Sequence, residues 1–151
     1  MKDLNFNLQI SNEKDYIIYF FESKINPLTG ETYQPTNNDI HTWKIMTENF
    51  IENCKVKNSR FCFIFNLHTV SSLPLSFIID ICGFFMKYNS FFKQKLIANC
   101  FIMENDKIQN LINLFLRYYK PVKPIKFFKN INECKKYIKD SSLSNSKCIN
   151  D

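Results

Sequence analysis

Seven consecutive residues, Phe61 to Leu67, read "FCFIFNL" and leave room for only one polar side chain, Asn66. The run is short enough for a strand and too short for a typical helix. Successive side chains of a strand point to opposite faces, so both faces of this one carry apolar groups. A strand of that kind belongs in the middle of a sheet covered by helices on each side. The feature therefore restricts the chain to a layered α/β architecture.

The flanking segments supply the other layers. "FNLQI" alternates Phe6, Leu8 and Ile10 against Asn5, Asn7 and Gln9, the period-2 mark of a half-buried strand. The turn-like "SNEKD" and the β-branched, aromatic "YIIYFF" (Tyr16 to Phe21) complete a hairpin with it. "NPLTGETYQPTNND" reads as a long loop. A helix is expected from about Asn38 to Lys57, with Ile40, Trp43, Met46, Phe50, Ile51 and Cys54 on its buried stripe. Thr36 and Asp39 have the spacing of a capping box. A second helix opens near Pro74 and runs through "LSFIIDICGFFMKY", with Gly83 permitting close packing in its middle. "KLIANCFIM" is the fourth strand. A third helix follows Asn105-Asp106, with Ile108, Leu111, Ile112, Phe115 and Tyr119 on one face. "KPVKPIKFF" opens the fifth strand, and Asn130 with Glu133 starts a last helix, "INECKKYIK". The order β-β-α-β-α-β-α-β-α makes a mixed five-stranded sheet with helices packed on it. Residues 1–139 form a single domain, and residues 140–151, "DSSLSNSKCIND", are expected to be a disordered polar tail.

Composition narrows the function classes. A chain of 151 residues with 45% hydrophobic and 16% aromatic residues can bury one substantial core. Two glycines, and neither GxGxxG nor GxxxxGK[ST], exclude phosphate-cradling loops. The net charge of +6 is spread without a basic stripe interleaved with exposed aromatics, so no nucleic-acid partner is expected. No apolar stretch is long enough for a membrane span, and "MKDLNFNLQISNEKDY" is neither signal peptide nor anchor. Six cysteines without paired spacing read as buried thiols of a reducing compartment, so the expected location is cytoplasmic.

The order of elements resembles the STAS domain, the SpoIIAA-like fold of anti-sigma-factor antagonists and of the cytoplasmic domains of sulfate transporters. It is closer to divergent STAS-like proteins similar in shape to the CRAL-TRIO domain. Three stretches carry the resemblance, over roughly residues 5–139: "FCFIFNL" with its corner and apolar helix, "KLIANCFIMEND", and "KPIKFFKNINECKKYI". The resemblance implies a non-enzymatic regulatory or scaffolding domain acting through a protein partner. Its CRAL-TRIO side implies instead binding of a lipid or small apolar ligand. In regulatory members the corner before the second helix carries an aspartate, a phosphorylated serine or threonine, and a glycine. Here it reads "NLHTVSSLPLSF", with Ser71 and Ser72 in place, no aspartate before them and no glycine after.

The candidate site gathers around that corner: Asn66, His68, Thr69, Ser71 and Ser72, joined by Asn105 and Asp106 if the third and fourth strands are parallel. Ser71 or Ser72 caps the second helix or, as the resemblance implies, accepts a phosphate at a helix N-terminus. His68 lies at the strand-end rim where open α/β sheets bind ligands, but GxSxG is missing and only His41 is available as a second histidine. A loop histidine is the plainer reading, and neither catalytic residues, a metal site nor a cofactor is expected. Asn105 or Asp106 caps the third helix, and the group as a whole suits a peptide or lipid head group. A homo-oligomer is compatible with all of this.

Overall fold

The computed structural model describes residues 4–68, 70, 73–117 and 119–150, the last six by backbone alone. Five strands form one sheet: β1 (Phe6–Asn12), β2 (Ile17–Ser23), β3 (Phe61–Asn66), β4 (Leu96–Ile102) and β5 (Ile125–Phe128). They lie in sequence order, with β1 antiparallel to β2 and every later pair parallel. The helices are α1 (Asn37–Lys57), α2 (Leu75–Met86), α3 (Asn89–Lys95), α4 (Asp106–Leu116) and α5 (Ile131–Asn150). Each parallel crossover advances one strand in the same direction. Right-handed connections therefore bring α1 to α4 to one face, and α5, which follows the last strand, covers the other.

β3 is the central strand, and Phe61 to Phe65 are all buried. Its alternation sorts residues by size. Phe61, Phe63 and Phe65 enter the four-helix side with Trp43, Phe50, Phe84 and Phe92, whereas Cys62 and Ile64 meet Cys134 and Ile138 of α5. On the crowded side the rings meet edge to face: Phe63 lies 5.0 Å from Tyr19 and 5.5 Å from Phe92 at steep angles. Such geometry sets the positive ring edge against the negative face.

A register shift between β3 and β4 decides which β4 side chains face which layer. Phe61 pairs with Leu96, but Phe63 pairs with Asn99, so β4 spends one extra residue there. Leu96 faces the four-helix layer, Ile97 and Ala98 both pack on the α5 side, and Cys100 and Ile102 follow them. The bulge thus transfers Asn99 and Phe101 to the four-helix side.

Several local expectations hold. Thr36 caps α1 in a full capping box: the Asp39 N–H donates to Thr36 Oγ1 at 3.1 Å, and Asp39 Oδ2 accepts from the Thr36 N–H at 2.8 Å. At the start of α5 the Glu133 N–H donates to Asn130 Oδ1 at 3.0 Å. Three expectations are corrected and one helix is added. Ile10 is 46% exposed, because β1 is an edge strand and no helix reaches over it there. The second helix ends close to where expected, at Met86, and after a turn at Tyr88 (φ −108°, ψ 10°), whose ring packs on Phe84, a short helix not read from the sequence, α3, leads into β4. A Cβ on Gly83 would meet nothing within 4 Å, so this glycine serves no close approach. The chain beyond residue 139 continues as helix to Asn150. Arg60 anchors that extension by donating to the carbonyl (3.3 Å) and hydroxyl (3.1 Å) of buried Ser142.

Candidate functional site

The strand-end rim is assembled by parallel pairing. Asn66 at the end of β3 is level with Ile102 at the end of β4, and the Leu67 N–H donates to the Ile102 carbonyl at 2.8 Å. Asn66 Oδ1 accepts from the His68 N–H at 3.1 Å, a local turn that starts the corner. His68 Nε2 faces Glu104 Oε2 at 3.6 Å, and both side chains are about half exposed. Asn105, not Asp106, is the cap of α4: its Oδ1 accepts from the N–H groups of Lys107 (2.9 Å) and Ile108 (3.3 Å). Asp106 stands exposed in the first turn. Thr69, Ser71 and Ser72 lie outside the described residues. The N-cap position of α2 is taken by Pro74, with no side-chain cap bond, so the expected serine cap is not what starts this helix. The rim is thus a solvated set of turn and cap groups. Among the described residues no cluster of His, Cys, Asp and Glu is placed to hold a metal ion.

The larger feature lies on the four-helix face, and none of the described candidate residues of the rim lines it. A cavity of about 530 Å³ separates α2 from α4 above β3, β4 and β5. Phe77, Ile81 and Phe85 of α2 form one wall, Ile112 and Leu116 of α4 the other, and Phe65 and Phe101 the floor. Trp43 closes one end; Lys120 and Lys123, the only charged residues lining it among those described, stand in the connection between α4 and β5. A smaller hollow of about 40 Å³ adjoins it and shares Trp43, Leu67 and Phe77. In the floor sits Asn99, only 7% exposed, whose Oδ1 has no hydrogen-bond partner. An unsatisfied buried carbonyl costs about 1–3 kcal/mol, so Asn99 stands out in an otherwise apolar floor. The signal that could have found it is visible in "LIANCFI": one asparagine inside a strand that is otherwise apolar.

The buried thiols are chemically quiet. Burial pushes the Cys54 thiol up to about 11 and raises Cys62 further. Cys100 is raised by its hydrogen bond with Cys134 and by burial; the same hydrogen bond lowers Cys134 against the opposing effect of burial. All four are fully buried, so they behave as small apolar core groups rather than nucleophiles. Cys82 differs in being partly accessible and in lining the cavity.

No family model and no curated protein matches the sequence. Among solved structures, the fold is similar to an uncharacterized protein of the DUF3478 family with a SpoIIAA-like fold from Shewanella loihica PV-4. The two superpose with a TM-score of 0.62 over 91% of this chain and 97% of that one, at 11% identity. No helix among the described residues is long and apolar enough to cross a membrane. The near-complete mutual coverage leads to one conclusion about the fold: this chain has a SpoIIAA-like, STAS-type α/β fold.

Proposed function

We propose that this chain is a non-enzymatic STAS-like binding domain that holds a small, largely apolar molecule between α2 and α4. The single observation that carries this reading is the cavity of about 530 Å³ with its aromatic and aliphatic walls. Ligand sites typically enclose roughly 300–1,000 Å³, are mainly apolar, and contain a few placed polar groups. A reducing, cytoplasmic setting accompanies the proposal, in keeping with free thiols at Cys54, Cys62, Cys82, Cys100 and Cys134. The test is native mass spectrometry of the purified chain, followed by thermal unfolding with added dodecanol. The expected result is a removable adduct, or a melting temperature that climbs with dodecanol concentration as binding to the folded state requires. A bare mass together with an unmoved melting temperature would overturn the reading.

A second reading, a regulatory or scaffolding role through a protein partner, is favoured by the other side of α2. Leu75 and Ile79, one helical turn apart, share an exposed face, each about half accessible. The one charged residue of this helix, Asp80, is engaged by Lys44 at 2.7 Å. Ile79→Glu is expected to abolish capture of such a partner while leaving the fold intact. Undiminished capture by that variant would remove α2 from the interface.

A further inference from the structure

We infer that the cavity selects an amphiphile with a hydrogen-bond donor, a hydroxyl or an amide N–H, and that Asn99 is the residue that reads it. The inference rests on the cavity being a ligand site and adds the chemical class of the ligand. Three independent observations converge on Asn99. It is more than nine-tenths buried on the cavity floor. Its Oδ1 lacks a partner, the only such buried side-chain atom among the described residues. And it faces this side only because the extra residue in β4 puts Ile97 and Ala98 together on the α5 side.

Without that bulge, simple alternation from Leu96 would point Ala98 and Cys100 at the four-helix layer and Asn99 at α5. The bulge exchanges Ala98 and Cys100, which would line an apolar floor without cost, for Phe101 and an Asn99 that leaves an unpaired carbonyl. Bulges recur where a strand must re-aim a side chain beside a site. In the unliganded chain Oδ1 is shut off from solvent; an apolar body in the cavity would leave it so, whereas a ligand donor would satisfy it once the amide turns toward the cavity. A site built around a buried hydrogen-bonding group rejects analogues that lack the complement, because the buried group then stays unpaired. Lys120 and Lys123 line the cavity from the α4–β5 connection, where long side chains reach solvent. They leave the floor neutral, so Asn99 meets an uncharged donor.

The chain carries its own reporter. Trp43 is the single tryptophan, is 3% exposed, and closes one end of the cavity. A bromine atom brought against its indole quenches the fluorescence. The probes are bromoundecanol and its methyl ether, which share a chain and differ in one donor. With the full-length protein both are expected to quench Trp43, the alcohol half-saturating at a roughly tenfold lower concentration, as one hydrogen bond predicts. Asn99→Leu is expected to bring the two curves together. Equal curves with the unaltered protein, or a preference that survives Asn99→Leu, overturn the assignment of Asn99 while sparing the cavity. Failure of both probes to quench overturns the ligand reading and this one with it. Should Asn99→Leu not fold, the alcohol–ether pair on the unaltered chain decides alone.

Discussion

Asp39 shows how one side chain holds two elements together. Its carboxylate accepts from the Thr36 N–H within the capping box, and also from the Asn5 N–H (3.1 Å) and the Asn5 side-chain amide (2.9 Å) just before β1. Burial by itself would raise its pKa, but these donors outweigh burial and hold it below the ordinary 3.8. A carboxyl depressed in the folded state contributes stability that is complete above the unfolded pKa and is lost as the pH falls below about 4. Asp39→Ala should therefore cost about 2 kcal/mol in urea unfolding at neutral pH, a cap plus hydrogen bonds. The gap between variant and parent should shrink toward pH 3, and a gap independent of pH would show that the charge contributes nothing. Tyr19 and Thr47 form a comparable buried pair, their hydroxyls 2.7 Å apart. The capping box was legible as Thr-x-x-Asp, since its partners are three residues apart. The bond to Asn5 was not, because a partner 34 residues away is set by packing alone.

At the scale of elements, α2 carries the most unusual sequence: apolar on the face above the cavity, apolar on the face toward solvent. Its inner side includes Ile78, 7% exposed, and its outer side Ile79 at 47%. Adjacent isoleucines should thus behave oppositely. Ile78→Glu should lower stability by about 3 kcal/mol or more through burial of an unpaired charge, and Ile79→Glu by less than about 0.5 kcal/mol. Two similar losses would mean that α2 is packed on both sides. Gly83 lies in the same helix with open space around its Cβ position. Gly83→Ala should stabilise the chain by roughly 1 kcal/mol, the helix-propensity difference, readable as a raised denaturation midpoint. Helix periodicity located α2 and its end near Tyr88 but gave no sign of α3, because the seven residues of "NSFFKQK" are too few to show a helical period. The extension of α5 was equally hidden. Its serines and asparagines read as a tail until Arg60, distant in sequence, supplies the partner for Ser142.

The whole molecule is lopsided: four helices serve one face of the sheet and one serves the other. Over β2 and β3 the four-helix layer is filled by rings from Tyr19, Phe50, Phe63 and Phe92, whereas over β4 and β5 the floor holds Asn99 and Phe101 and the helices stand apart. The central strand and its coverage were readable from "FCFIFNL" because a strand apolar on both faces has one place to go. The cavity was not readable, because it depends on a change of parity within "KLIANCFIM". Both registers of that strand bury mostly apolar groups, so hydrophobic alternation cannot choose between them. Space left in a core costs stability, and its retention here is what a binding site would require. Cys82 allows a direct measure of that exchange, since it lines the cavity on the α2 wall and is partly accessible. Cys82→Phe places a ring in a volume of about 530 Å³, so the unliganded chain should keep its stability to within about 1 kcal/mol. A ring forced into a packed core instead typically costs 1–3 kcal/mol. The same variant should bind bromoundecanol at least tenfold more weakly, as the ring and the probe compete for one space. A large loss of stability would mean the space is already taken. Unchanged binding would mean that the probe sits elsewhere, and the pair of measurements separates a real cavity from a functional one.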